Sequence, residues 1–128
     1  MYLLDTNACI DFLDGRSERL LACIDEHFEH LSVSSISVGE LMVGSKRSQD
    51  AKRDAERINI FVAGVKIVDF DLACARRYGS IVKQIGVRRK SFDRLIGVQA
   101  LELDLTLVTR NGRDFADVPG LKVEDWTV

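Results

Sequence analysis

The chain has 128 residues, of which 46% are hydrophobic and 30% are charged, and its net charge is −2. This size and composition predict one soluble globular domain over residues 1–128 with a core of its own, and they exclude a long disordered linker. No apolar run approaches the roughly 18 residues of a membrane span, so we expect neither a signal peptide nor a membrane anchor.

The three cysteines bear on the compartment. Cys9, Cys23 and Cys74 are odd in number and widely spaced. This pattern is typical of reduced thiols in the cytoplasm rather than of a disulfide framework. We therefore expect a cytoplasmic protein.

Basic residues occur in clusters along the chain. A net charge of −2 argues against a nucleic-acid partner, yet a chain that is neutral overall can still present a basic stripe to phosphates. Two clusters are candidates for such contacts, namely Arg88, Arg89, Lys90 and Arg94 in the first and Arg110 and Arg113 in the second. A solvated helix face is the alternative interpretation of each.

Short apolar runs alternate with amphipathic segments throughout. The predicted strands are Tyr2–Leu4, Leu31–Ser34, Val65–Val68, Leu105–Val108 and a short Leu121–Val123. The predicted helical segments are Asn7–Leu13, one capped by Ser17, one beginning at about Ser37, Ala51–Phe61, one capped by Asp71 that ends near Ile85, and one capped by Ser91 that runs through Leu103. This alternation predicts an α/β fold, with a mostly parallel sheet of about five strands and helices on both faces.

Four acidic residues fall at one edge of this predicted sheet. Asp5 and Asp114 follow strands, whereas Glu40 and Asp93 lie in the first turns of helices. In right-handed parallel units these positions share the carboxyl edge of the sheet, where ligands bind. Each acid alone also has a purely structural interpretation, for example a helix cap for Asp5, a capping box with Ser37 for Glu40, and the helix dipole for Asp93.

Together the four acids predict a metal site. Clustered carboxylates repel one another unless a cation lies among them. Oxygen ligands without His or Cys suit Mg²⁺ or Mn²⁺. Such an ion polarises a phosphoryl oxygen and activates water for in-line attack. With basic clusters nearby, we predict metal-dependent phosphodiester hydrolysis.

The motifs around these acids resemble those of the PIN-domain ribonucleases, and specifically the VapC-type toxins of bacterial toxin–antitoxin pairs. The matching segments span the chain in order, and they are Leu4–Asn7, Gly39–Leu41 with Gly44, Phe92–Ile96, and Leu107–Asn111 with Asp114–Phe115. The resemblance implies a PIN-like three-layer sandwich. It also implies a metal-dependent endoribonuclease, with RNA as substrate, that a small antitoxin protein neutralises.

The same resemblance assigns roles to the acids. Asp5 and Asp93 match the principal metal ligands, and Glu40 matches the third acid. Some members have an acid where this chain has Asn111, so we expect Asp114 to supply the fourth charge.

Other positions match more loosely. The resemblance makes Asn7, Thr109 and Asn111 polar support for the site. Gly97 stands where the family usually has alanine, which should loosen that helix slightly.

Two other interpretations stay open. One is a non-catalytic RNA-binding module of the same fold, which the loss of an acid would indicate. The other is a metal-dependent phosphatase of a different α/β class, whose nucleophilic Asp would be followed two residues later by another Asp, where this chain has Asn7.

The resemblance also suggests partners. An antitoxin Arg or Lys inserted among the acids would pair with them and exclude the metal. A homodimer is expected as well, because Met42, Val43 and Phe61 lie on helices that the sheet need not cover fully.

Overall fold

The computed structural model describes residues 1–46, 49–86 and 92–128. Within these ranges, five parallel strands form one sheet in the order β3-β2-β1-β4-β5. The strands are β1 (Tyr2–Leu4), β2 (Leu31–Ser34), β3 (Lys66–Val68), β4 (Thr106–Val108) and β5 (Val123–Glu124). The predicted parallel α/β sheet is confirmed.

Six α-helices lie within the described ranges. They are α1 (Thr6–Asp14), α2 (Glu18–Glu26), α3 (Ser35–Lys46), α4 (Ala51–Gly64), α5 (Leu72–Ile85) and α6 (Asp93–Glu102). Short 3₁₀ turns occur at Phe28–His30 and Gly112–Phe115. No helix in this part of the chain is long and apolar enough to cross a membrane.

Helices cover both faces of the sheet because successive strand residues face opposite sides. Leu4 is buried among side chains of α1, α2, α3 and α4. Its neighbour Leu3 is buried on the other side, with Ile96 of α6 and with Phe115. A further cluster joins α5 to α6 through Ile81 and Val98. The result is the expected three-layer sandwich.

The strand order reverses at β1, which lies at the centre of the sheet. From β1 the chain continues outward through β2 and β3 on one side, and β4 and β5 lie on the other. The Asp5 backbone N–H donates to the carbonyl oxygen of Val108 at 3.0 Å, so the ends of β1 and β4 stay together. Ligand sites of open α/β sheets lie at this kind of switch point.

Helix α3 begins at Ser35 rather than at about Ser37. The Ser34 hydroxyl accepts a hydrogen bond from the backbone N–H of Ile36, which starts the helix early. Ser37 is therefore inside the helix, and Glu40 lies in the second turn instead of the first. The capping-box interpretation of Glu40 is wrong.

The last strand also differs from its predicted position. It comprises Val123–Glu124, whereas the sequence predicted Leu121–Val123. Leu121 instead packs against the core clusters that contain Phe115 and Val118. A side chain that the core can bury is better placed there than on an edge strand.

Candidate active site

Asp5 is the centre of the candidate site. It follows β1 and caps α1, where its Oδ1 accepts a hydrogen bond from the Ala8 backbone N–H at 2.7 Å. The residue is only 2% exposed. The structural and the functional interpretations of Asp5 are therefore compatible, because the cap fixes the carboxylate at the switch point of the sheet.

Burial and neighbouring charge disfavour the ionised form of Asp5. Burial raises its pKa from 3.8 to about 6, against hydrogen bonds from the Thr109 side chain and the Ala8 backbone that lower it. The negative charges of Asp93 and Asp11 raise the pKa further. Asp93, the first residue of α6, is thus close enough to Asp5 for their charges to interact, as the sequence predicted.

Glu40 reaches the same edge from α3. Thr6 Oγ1 lies 2.7 Å from Glu40 Oε1 and 2.9 Å from Ser37 Oγ. Since a carboxylate only accepts, the Thr6 hydroxyl donates to Glu40, and Ser37 completes the network. This bond ties Glu40 to the residue next to Asp5.

The thiol of Cys9 lies near two of these acids. Cys9 is fully buried, and burial raises its pKa. The charges of Asp5 and of Glu40 raise that pKa further, so both carboxylates lie near one thiol. The buried thiol itself remains protonated and inert.

Thr109 and Asn111 connect β4 to Asp5. Thr109 is 1% exposed, and its side chain is hydrogen-bonded to Asp5. The Asn111 backbone N–H donates to Thr109 Oγ1 at 3.0 Å, which orients that hydroxyl. Asn7, in the first turn of α1, is half-buried.

Asp114 is the least enclosed of the four predicted acids. It lies in the 3₁₀ turn that follows β4, where its backbone N–H donates to the Asn111 carbonyl oxygen at 2.9 Å. The residue is exposed. Its assignment as a fourth ligand stays a prediction.

A model of the PIN domain family matches residues 2–121 of the chain. The chain belongs to the PIN domain family. The tRNA(fMet)-specific endonucleases VapC of Salmonella typhimurium and Shigella flexneri are 28% and 30% identical over 128 and 129 residues. The two alignments each cover 98% of this chain, and 97% and 98% of the relatives.

Solved structures of VapBC proteins also resemble this chain. This PIN domain superposes on a DNA-bound VapBC structure from Salmonella typhimurium with a TM-score of 0.89 and 28% identity, over 98% of this chain and 97% of that one. For DNA-bound VapBC2 from Rickettsia felis, the TM-score is 0.85 at 28% identity, over 98% of both chains. The predicted VapC-type nuclease is confirmed at the level of the family, and the phosphatase alternative is set aside.

The predicted RNA-binding residues differ in where they lie. Arg88, Arg89 and Lys90 lie outside the described residues. Arg110 and Arg113 are exposed beside the loop that carries Thr109. Asp11, a buried acid of α1 that the sequence-based prediction missed, lies 3.2 Å from Arg110.

Arg94 does not fit the role predicted for it. It is 5% exposed, and its guanidinium binds the carbonyl oxygen of Gly86 and the carboxylate of Asp117. A side chain held in this way cannot reach a phosphate on the surface. The prediction that Arg94 contacts RNA is wrong, and its contacts join α6 to the end of α5 and to the segment that follows the 3₁₀ turn.

The donor set of this PIN domain fits a hard divalent cation. Within the described ranges, no group of three or more His, Cys, Asp or Glu residues is close enough to hold a metal. Mg²⁺ needs no such cage, because it keeps several waters and uses one or two carboxylates together with substrate phosphate. Asp5 and Asp93 are two such carboxylates, and a cation would relieve the repulsion that raises the Asp5 pKa.

Proposed function

We propose that this PIN domain is an endoribonuclease toxin that requires Mg²⁺ or Mn²⁺ and is silenced by an antitoxin. The observation that carries the proposal is Asp5, which is buried at the switch point of the sheet and repelled by Asp93. Structural carboxylates are seldom buried beside another acid unless a cation or a catalytic role stabilises them.

The residues around Asp5 would have different roles in the reaction. Asp5 and Asp93 would hold the ion, whose chemistry is to polarise a phosphoryl oxygen and activate water. Thr109 orients the Asp5 carboxylate, and Thr6 orients Glu40 toward the same edge. Glu40 would then position or deprotonate the attacking water.

The loop after β4 and the first turn of α1 supply the remaining groups. Arg110 and Arg113 are exposed there and would bind substrate phosphates. Asn7 and Asn111 would support the site by hydrogen bonds, and Asp114 would add a weaker ligand. Residues 1–128 would act as one domain.

Conservative substitutions test the acid pair. Asparagine also caps helices, so Asp5→Asn should preserve α1 while removing the ligand charge, and Asp93→Asn should act in the same way. Each should lower the rate of RNA cleavage in Mg²⁺ by at least roughly 100-fold, because each removes one carboxylate charge that would hold the ion stabilising the transition state. Total RNA and initiator tRNA are suitable substrates, since two relatives carry the name tRNA(fMet)-specific endonuclease.

Asp71→Asn is the matched control. Asp71 caps α5 through Cys74 N at 3.0 Å but is fully exposed and not part of the site. Its substitution should leave cleavage unchanged. Undiminished cleavage by the wild-type protein in excess EDTA, or by Asp5→Asn in Mg²⁺, would contradict the proposal. Titration with Mn²⁺ by calorimetry measures metal binding directly and does not depend on turnover.

The antitoxin is a small protein with a basic residue that pairs with the acids. The VapBC structures above are support for such a partner. Co-expression with the neighbouring reading frame should yield a complex and relieve toxicity. A neighbour that does neither would remove this part of the proposal.

A homodimer is proposed from the exposed apolar surface of α3. Met42 and Val43 are 43% and 53% exposed, whereas Phe61, which was expected to join them, is a core residue at 7%. Val43→Asp should therefore shift the mass measured by light scattering toward that of one chain.

All three cysteines are free thiols, which supports a location in the cytoplasm.

A further inference from the structure

Asp11 is a buried carboxylate whose role the proposed mechanism leaves open. It lies on α1 and is 3% exposed, and its charge acts on Asp5. Two arginines approach it: Arg110 Nε at 3.2 Å from Oδ2, and Arg16 Nη1 at 3.8 Å from Oδ1. Its Oδ1 accepts no hydrogen bond within the described part of the chain.

This arrangement is a poor way to stabilise a fold. A buried ion pair seldom contributes more stability than an apolar pair of similar size, and an unsatisfied buried oxygen adds a further penalty. Apolar residues of α1 such as Ala8 and Cys9 are already buried in the core. The buried carboxylate at position 11 therefore points to a purpose other than stability.

The position of Arg110 indicates that purpose. Arg110 directly follows Thr109, whose side chain is bonded to Asp5. It meets Asp11 through Nε, and 45% of its side chain is exposed. The guanidinium is a rigid fork, so an acid paired with its Nε side leaves the two terminal nitrogens directed away from that acid.

We propose that Asp11 is a positioning residue, which holds Arg110 so that its terminal nitrogens bind an RNA phosphate beside the metal site. This inference rests on the proposed function and adds a residue to it. Holding the side chain in place before RNA arrives lowers the entropy lost on binding. Arg16 has a different role, because it is 59% exposed and lies closer to Asp14, at 3.2 Å.

The sign of one substitution tests the proposal. Asp11→Asn removes a negative charge near bound RNA, so simple electrostatics predicts tighter binding. A positioning role predicts the opposite, namely binding that is weaker by roughly 3- to 10-fold and a salt slope smaller by about one, as for the loss of one phosphate contact. Binding is measured by fluorescence anisotropy with labelled initiator tRNA in EDTA, where no metal-dependent cleavage occurs.

A double-mutant cycle identifies the path of the effect. Arg110→Ala should weaken binding at least as much as Asp11→Asn, and the double variant should be no weaker than Arg110→Ala alone. Asp14→Asn is the matched control, because it removes a negative charge from the end of α1 without a contact to Arg110, and it should bind no more weakly than wild type does. Tighter binding by Asp11→Asn, additive effects in the cycle, or no tRNA binding by wild type at low salt would each overturn the proposal.

A second variant covers the case in which Asp11→Asn does not fold. Arg110→Lys keeps the charge, but one ammonium group cannot serve both Asp11 and a phosphate in fixed directions. It should bind within about two-fold of Arg110→Ala. Full wild-type affinity of Arg110→Lys would overturn the positioning role, whereas loss of cleavage with intact RNA binding would concern only the metal site.

Discussion

Two arginine–aspartate pairs lie near the candidate site, and their burial is reversed. In the Asp11–Arg110 pair, the side chain of the acid is 4% exposed and that of the arginine is 45% exposed. In the Arg94–Asp117 pair, the side chain of the arginine is 6% exposed and that of the acid is 35% exposed. The same chemical pair therefore presents a guanidinium to solvent in one place and encloses it in the other.

This difference separates a binding group from a structural one. A guanidinium that is buried and hydrogen-bonded to Gly86 and Asp117 cannot present its donors to a ligand at the surface. A guanidinium anchored at one nitrogen and open to solvent is ready for a phosphate. Of the two arginines in these pairs, Arg110 keeps the predicted RNA-binding role and Arg94 does not.

The largest predicted effect concerns the enclosed arginine. Asp117→Ala strands the buried Arg94 charge, which cannot be neutralised by losing a proton. We expect the free energy of unfolding in urea to fall by about 3 kcal/mol. Asp11→Asn should lose about 1 kcal/mol or less, because the partner left behind is half exposed and water can solvate it.

A double variant checks this reasoning. Replacing both members of the enclosed pair, as in Arg94→Met with Asp117→Ala, should recover part of the lost stability, since no buried charge remains. Folded variants of this pair should bind tRNA as wild type does. Equal destabilisation by Asp117→Ala and Asp11→Asn would remove the distinction between the pairs.

The next effect concerns Asp5, a buried acid that lies beside other acids rather than within such a pair. Its pKa is raised from 3.8 to about 6. Between those values the native state keeps a proton that the unfolded chain has released, so stability must fall as pH rises through this window. In EDTA, wild-type stability relative to Asp5→Asn should fall by about 2 to 3 kcal/mol from about pH 4 to about pH 6.5.

Urea denaturation at a series of pH values measures this difference. Subtracting the free energy of unfolding of Asp5→Asn from that of wild type cancels the contributions of the other titratable groups. Because Asn is neutral, the difference reports the titration of Asp5. A constant difference across the range would show that Asp5 titrates alike in the native and unfolded chains.

The sequence predicted the sheet and the position of Asp5 at the end of β1 because both follow from local patterns. An apolar run that ends in a carboxylate is visible without any partner. Asp11 also left a signal, since it interrupts an apolar run between Ile10 and Phe12. That signal was missed because a charged residue in a short helix is usually assigned to solvent.

Errors arose where a distant or competing group decided the outcome. Arg94 is paired with a residue 23 positions away, and a charge cluster reveals the sign of a side chain but not its direction. The start of α3 was misplaced because Ser34 and Ser37 are both suitable caps. The hydrogen bond from Ile36 to Ser34 decided between them.

The smallest predicted effect concerns the packing of α6, the helix that carries the enclosed Arg94, against the 3₁₀ turn. Gly97 lies on α6, where a Cβ atom would be 3.0 Å from Phe115 Cδ1 and 3.5 Å from Leu121 Cδ2. Phe115 is 2% exposed and has little room to move. Gly97 therefore permits close packing of α6 against the 3₁₀ turn, rather than merely loosening the helix.

Gly97→Ala sets two effects of similar size against each other. Alanine favours a helix by about 1 kcal/mol over glycine, whereas overpacking costs about 1 to 3 kcal/mol. We expect a net loss of about 1 kcal/mol in urea denaturation, because the contact is with a buried ring. Gly79→Ala in α5, where nothing lies within 4 Å of the added Cβ, is the control and should gain about 0.5 to 1 kcal/mol. If both substitutions stabilise the protein equally, Phe115 yields at little cost, and the packing between α6 and the turn cannot be what keeps Arg94 enclosed.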